Sequence, residues 1–354
     1  MRTNSIRLLA SSLVLLVFSL FPMVTSAQTI VQELDVDYSV RDISWSPDGE
    51  LLTVSSTDGI YFYTADLQAV SYLPANPVVW SSDSTRLASA DGSISIWQRQ
   101  PDNTFTLERN LTLDGRNPFL VTWSPDGKWL ASWDIISDNK NEQALFSQIH
   151  IWNTKTWRLE STLQETYYYP LTPPYTPFTL KWSPDSTRIA GIGIDEHLGE
   201  IVFISETLTG KRTDTLIPPT SLTSIDWSST GLIAIGHQTL GIFDTNTDSF
   251  LYSLFDVWAV NDLSWSPDGY KLALTNEGVA EIRDYATNQV LAALPDATNY
   301  FAWHPDGNKL AAGKMNPETY EWAIQIWDVS ALPSVTGIPT LTPYPTRMPT
   351  ATAP

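Results

Sequence analysis

Trp45-Ser46-Pro47-Asp48-Gly49 decides the fold, because the chain keeps returning to it. Trp123 to Gly127 and Trp265 to Gly269 repeat it unchanged. Variants follow Trp80 (Ser-Ser-Asp-Ser), Trp182 (Ser-Pro-Asp-Ser), Trp227 (Ser-Ser-Thr-Gly) and Trp303 (His-Pro-Asp-Gly). Successive anchors lie 35, 43, 59, 45, 38 and 38 residues apart. Pro presets the second position of a type I turn, Ser and Asp accept local backbone hydrogen bonds, and Gly tolerates the exit conformation. The Trp offers a large apolar surface for packing between units. After the turn comes a bulky-small pair: Leu87-Ala88, Leu130-Ala131, Ile189-Ala190, Ile233-Ala234, Leu272-Ala273 and Leu310-Ala311. A strand-turn-strand unit of about 40 residues predicts propeller blades, and alternating large and small side chains suit the taper between them. Seven copies predict an all-β, seven-bladed β-propeller of four-stranded antiparallel blades.

Working outward, residues 29 to 36 read as a lone strand before the first repeat, while the last repeat lacks a fourth strand. The simplest closure places the N-terminal strand on the outer edge of blade seven, where it hides an open edge. Residues 1–27 have the pattern of a secretory signal: Arg2 and Arg7, an apolar run from Leu8 to Phe21, and small residues at Thr25-Ser26-Ala27. Cleavage after Ala27 would leave no membrane span and would predict a secreted or cell-surface protein. The expected domain is residues 28–332. Residues 333–354 hold six Pro and six Thr in 22 positions, which predicts a disordered Pro/Thr-rich tail.

Charge and composition exclude several classes. The chain has 20 Lys+Arg against 39 Asp+Glu. Without Arg2 and Arg7 the balance is 18 against 39, a formal −21. That field repels nucleic acid and anionic membrane and suits a cationic partner; it also keeps a protein soluble by self-repulsion. The absence of Cys excludes disulfides, zinc thiolates and Cys nucleophiles. No GxSxG, HExxH, P-loop or dinucleotide fingerprint occurs. No cofactor or metal is expected, and the ring is expected to be a monomer.

The third strands end in degenerate Trp-Asp pairs: Ile96-Trp97-Gln98, Ile151-Trp152-Asn153, Ile242-Phe243-Asp244, Ile282-Arg283-Asp284 and Ile326-Trp327-Asp328. With the spacing above, the chain resembles the WD-repeat propellers over about residues 29–330. Its turns are also similar to those of TolB-type propellers. The Gly-His pair expected early in each repeat is missing, so the buried His-Ser-Trp-Asp tetrad of the family cannot form in its usual way. The resemblance implies protein binding. It also implies that loops between strands two and three share a face with the connections between blades, opposite the Trp-Ser-Pro-Asp-Gly turns.

The long insertions fall mainly on that loop face. Blades three and four would contribute Trp133, Asp134, Tyr167, Tyr168, Tyr169, Tyr175, Glu196 and His197, and blade seven Tyr320 and Trp322. Aromatic rings beside acids suit a protein loop, a cationic peptide or a sugar. The same Tyr-Pro segment would equally serve to cover the blade junction. His197 has no second His nearby and reads as part of a solvated loop, while His150 and His304 read as structural. Two functions follow. The first is a secreted non-catalytic scaffold for a protein or peptide. The alternative is a carbohydrate- or peptide-active hydrolase or lyase with carboxylates at the central channel. Asp42, Asp226 and Asp262, just before repeat Trp residues, are the acids to inspect for the latter, although a polar lining or turn support would explain them too.

Overall fold

The computed structural model describes residues 29–75, 77–113, 116–137, 145–165, 179–195, 198–217, 221–254, 257, 260–295, 297 and 299–333. Seven four-stranded antiparallel sheets form the blades. Their innermost strands are Asp42–Trp45, Val78–Trp80, Pro118–Trp123, Leu180–Trp182, Ser224–Trp227, Leu263–Trp265 and Asn299–Trp303. Each ends on a repeat Trp and enters the repeated turn. The expected signal peptide and Pro/Thr-rich tail lie outside the described residues, which include no helix long and apolar enough to cross a membrane.

Thr29–Val36 completes blade seven by pairing antiparallel with Trp322–Asp328. The fourth strand of the last blade therefore comes from the start of the chain, as expected.

The turns confirm their local chemistry. In blade one the Ser46 hydroxyl donates to Asp48 Oδ1 at 2.5 Å and accepts the Leu51 N–H at 3.0 Å. Gly49 exits with φ of +75°. Ser84 and Ser186 hold the same left-handed position with φ of 60° and 61°. Each accepts a backbone N–H from a preceding blade, Asp48 at 2.9 Å and Asp126 at 3.1 Å, which offsets the strain a side chain suffers there. His304 stands in for the turn Ser in blade seven, and its Nε2 lies 3.1 Å from the Gly49 carbonyl oxygen across the closing seam.

The core consists of seven clusters, one at each blade interface. The bulky-small pair explains the arrangement. Ala88 of blade two faces blade three and packs with Leu130, while Ala131 faces blade four and packs with Ile189. Alternation thus sends the large member back toward one neighbour and the small member toward the next. The Trp anchors add a polar tie. Indole N–H groups of Trp45, Trp182, Trp265 and Trp303 donate to the inner-strand carbonyls of Ala302, Thr122, Asp226 and Ser264 at 3.0–3.2 Å. Trp80 uses the Thr53 hydroxyl instead, at 2.8 Å.

One expectation about loops is corrected here. Blade three's second strand runs Trp129–Ser137 and its third Leu145–Asn153, so Trp133 and Asp134 belong to a strand, not an insertion. The inner strand begins at Pro118, whose register partner is Asp134, so the hairpin extends further than the polar residues suggest. In blade four the strands likewise run to Asp195 and resume at Gly199.

Candidate functional site

The loop patch expected on blades three and four is not assembled by the described residues. Trp133 is 1% exposed and packs its ring near Phe119 and Phe203, at 5.8 and 5.7 Å between centroids. Asp134 is fully buried, with Oδ2 3.2 Å from His150 Nε2. His150 Nδ1 meets the Thr162 hydroxyl at 3.0 Å. Both site assignments are therefore corrected to core positions. Strand alternation turns Trp133 into the space between blades three and four. Tyr167, Tyr168, Tyr169, Tyr175, Glu196 and His197 lie outside the described residues. Tyr320 is 73% exposed at the tip of the blade-seven loop. Trp322 is half-buried at the start of a strand, 6.4 Å from the Tyr300 ring.

The channel brings more chemistry together. Along each inner strand the side chains at the first and third positions before the Trp alternate away from the blade core, so they line the axis. The third position supplies Asp42, Asp262 and Tyr300; the first supplies Lys181 and Asp226. A cavity of ≈ 710 Å³ is walled by Arg41, Asp42, Lys181, Asp262 and Tyr300 together with apolar residues such as Val79 and Leu120. Asp42 and Asp262 thus line one cavity. Two of the three acids, however, hold the ring together. Asp226 Oδ2 accepts the Trp265 N–H at 2.8 Å, and Asp262 Oδ2 accepts the Phe301 N–H at 3.1 Å. Each carboxylate grips the inner strand of the next blade.

Lys181 Nζ lies 3.0 Å from Asp226 Oδ1. That carboxylate, then Asp262 and Asp42, hold its ammonium above the usual lysine range against the cost of enclosure. Asp42 has no ion-pair partner among the described residues. It is wetted by the channel yet enclosed by protein, and that enclosure, reinforced by Asp262, pushes its carboxyl up to about 6. Enclosure also raises Asp262, against the pull of two backbone N–H groups and Lys181. Tyr300 is raised by burial and by both acids. Sequence reasoning singled out the three Asp residues and missed Lys181 and Tyr300. Aligning the repeats on Trp and reading back one and three residues would have found both.

The WD domain, G-beta repeat family matches residues 29–60, the closing strand and the first hairpin. The chain is a seven-bladed β-propeller whose closing strand and first hairpin match the WD repeat. Protein HIR1 of Cryptococcus neoformans is 28% identical over 221 residues, 55% of this chain and 23% of that protein. Protein HIR1 of Mycosarcoma maydis is 24% identical over 233 residues, 58% of this chain and 21% of that protein. The chain therefore spans about a quarter or less of these relatives' lengths. A chain in the crystal structure of the mitotic checkpoint complex has the same fold, with a TM-score of 0.65 at 18% identity over 93% of this chain and 99% of its own.

Only part of the WD-repeat polar network is in place. Trp152 donates to Ser132 at 3.0 Å and Trp97 to Ser89 at 3.4 Å. Trp327 occupies the matching register opposite Leu310, but Ala312 stands where those blades have Ser, and the buried Trp327 indole N–H has no acceptor among the described residues.

Proposed function

We propose that this WD-repeat propeller is a secreted, non-catalytic scaffold that binds a protein or peptide partner through a cationic side chain at the loop-side mouth of its channel. The observation that carries this reading is Asp42, a carboxylate that lines the ≈ 710 Å³ channel cavity and has no ion-pair partner among the described residues. Lys181 is spent on Asp226, and Asp262 is tied to backbone N–H groups. An ammonium or guanidinium entering this space would relieve the charge on Asp42. Tyr300 and Trp322 offer ring surface at the same end. The export pattern of residues 1–27 supports the extracytoplasmic part of the reading.

The test is anisotropy of labelled peptides titrated with the full chain. A Lys-rich peptide is expected to bind, an isosteric Gln-rich one to bind at least about tenfold more weakly, and Asp42→Asn to remove that preference. Equal affinity for both peptides, or an unchanged preference in the variant, would sink the proposal. N-terminal sequencing of protein recovered from the culture medium should begin at Gln28; an intact Met1 on exported protein would contradict the cleavage assignment. The enzyme alternative also centres on Asp42, whose raised carboxyl suits a general acid. It requires turnover of an oligosaccharide or peptide that Asp42→Asn abolishes.

A further inference from the structure

The mouth of the channel cavity carries a cation that the reading above leaves unused. Two cationic side chains line the cavity, Arg41 and Lys181. Lys181 lies 3.0 Å from Asp226 Oδ1. Arg41 is exposed and makes no ion pair among the described residues. It stands directly before Asp42, so an uncommitted guanidinium and an uncommitted carboxylate share one wall.

Tyr300 adds a third group. It falls between Asn299 and Phe301, where the pairing of blade seven's inner strand shifts register, and it adopts φ of +64°. That left-handed conformation is costly for a residue with a side chain, and such bulges re-aim side chains. Here the bulge delivers Tyr300 to the cavity wall. Asp262 and Asp42 raise its hydroxyl and Arg41 lowers it, so the hydroxyl stands within electrostatic reach of both Arg41 and Asp42. It has no hydrogen-bond partner among the described residues.

Charge and spacing choose the ligand. A purely cationic group would answer Asp42 and be repelled by Arg41, and a purely anionic one would meet Asp42 and Asp262. A zwitterion answers both. The Arg41 N–H donates to the Ser55 carbonyl at 2.8 Å, which keeps the chain extended into the strand Asp42–Trp45. Side chains of neighbouring extended residues leave on opposite sides, so the two charges diverge. A basic side chain on its long stem separates an ammonium from a backbone carboxylate, and Val79, Phe119 and Leu120 offer apolar wall for such a stem. We infer that the partner enters by its C-terminal residue, a basic one, with the side-chain cation on Asp42 and the terminal carboxylate on Arg41 and the Tyr300 hydroxyl. This rests on the reading of Asp42 as the cation site and names the part of the partner that fills it.

The test titrates the full chain into four labelled peptides of one neutral sequence, ending in Lys or Gln, each as the free acid and as the C-terminal amide. The Lys acid is expected to bind at least about tenfold more tightly than the Lys amide. Arg41→Gln should bring those two together. Lys314→Gln, which removes a cation held by Glu33 outside the cavity, should keep the tenfold ratio. Equal affinity for acid and amide, with Lys still preferred over Gln, would overturn this inference and leave the cation site standing. Loss of the Lys-over-Gln preference in the parent chain would overturn both. An acid-over-amide preference that survives Arg41→Gln would overturn the assignment of the carboxylate to Arg41.

Discussion

At the residue scale, the repeat Trp does two things that can be separated. Trp265 packs between blades and donates its N–H to the Asp226 carbonyl, whereas Trp227 packs with Arg188 5.4 Å over its ring and its N–H has no acceptor among the described residues. Both Phe variants lose ring surface, but only Trp265→Phe breaks a hydrogen bond. It should cost about 1 kcal/mol more than Trp227→Phe in urea unfolding. Equal losses would show that the indole tie contributes nothing. Asp42 makes a pH-dependent prediction. Its folded carboxyl is raised to about 6, so the folded state favours the protonated form. That contribution is complete below the unfolded carboxyl's range, near 3.9, and is lost as pH rises through about 6. Asp42→Asn should therefore match the parent near pH 4 and melt higher above pH 7, as thermal midpoints at the two pH values will show. Asp42 was visible in the sequence as a repeated acid, but its isolation was not. Isolation depends on Lys181 choosing Asp226, and nothing along the chain records that choice.

At the element scale, the turn and the third strand carry the predictions. Gly307 and Gly49 share φ near +75°, but a Cβ at Gly307 would meet open space while one at Gly49 would meet the His304 ring at 2.6 Å. Gly307→Ala should cost about 1–2 kcal/mol from backbone strain alone. Gly49→Ala should cost more, since it also forces the blade-seven His off the closing seam. Ala312→Ser should do the reverse by giving the Trp327 indole the acceptor that Ser89 and Ser132 supply in blades two and three. A gain of about 1 kcal/mol in urea unfolding is expected. These elements were legible because turn chemistry is local: Ser, Pro, Asp and Gly at fixed offsets announce it. Strand ends were less so. Trp133-Asp134 reads as the start of a polar insertion, yet cross-strand pairing with Pro118, Ile149 and Gln148, and the buried Asp134–His150 side-chain contact, keep it in the sheet. An Asp inside a strand signals a loop only when no buried partner awaits it.

At the scale of the whole molecule, closure and the channel belong together. The ring closes because Thr29–Val36 pairs with the last strand of the chain, a contact between residues about 300 positions apart. Only a closed ring encloses an axis, and only an enclosed axis sets Asp42 apart from an ordinary surface acid. The count of blades and their closure were legible in the sequence, since a missing last strand and a surplus first one answer each other. The site on the axis was half legible: the acids stood out by repetition, while Lys181 and Tyr300 appear once each and gain meaning only in the ring. The most direct measurement of this account is a carboxyl-carbon NMR titration of Asp42 in the full chain, alone and with a Lys-rich peptide. A midpoint near 6 that falls when the peptide is added is the predicted result. A midpoint in the ordinary aspartate range, unmoved by peptide, would contradict it.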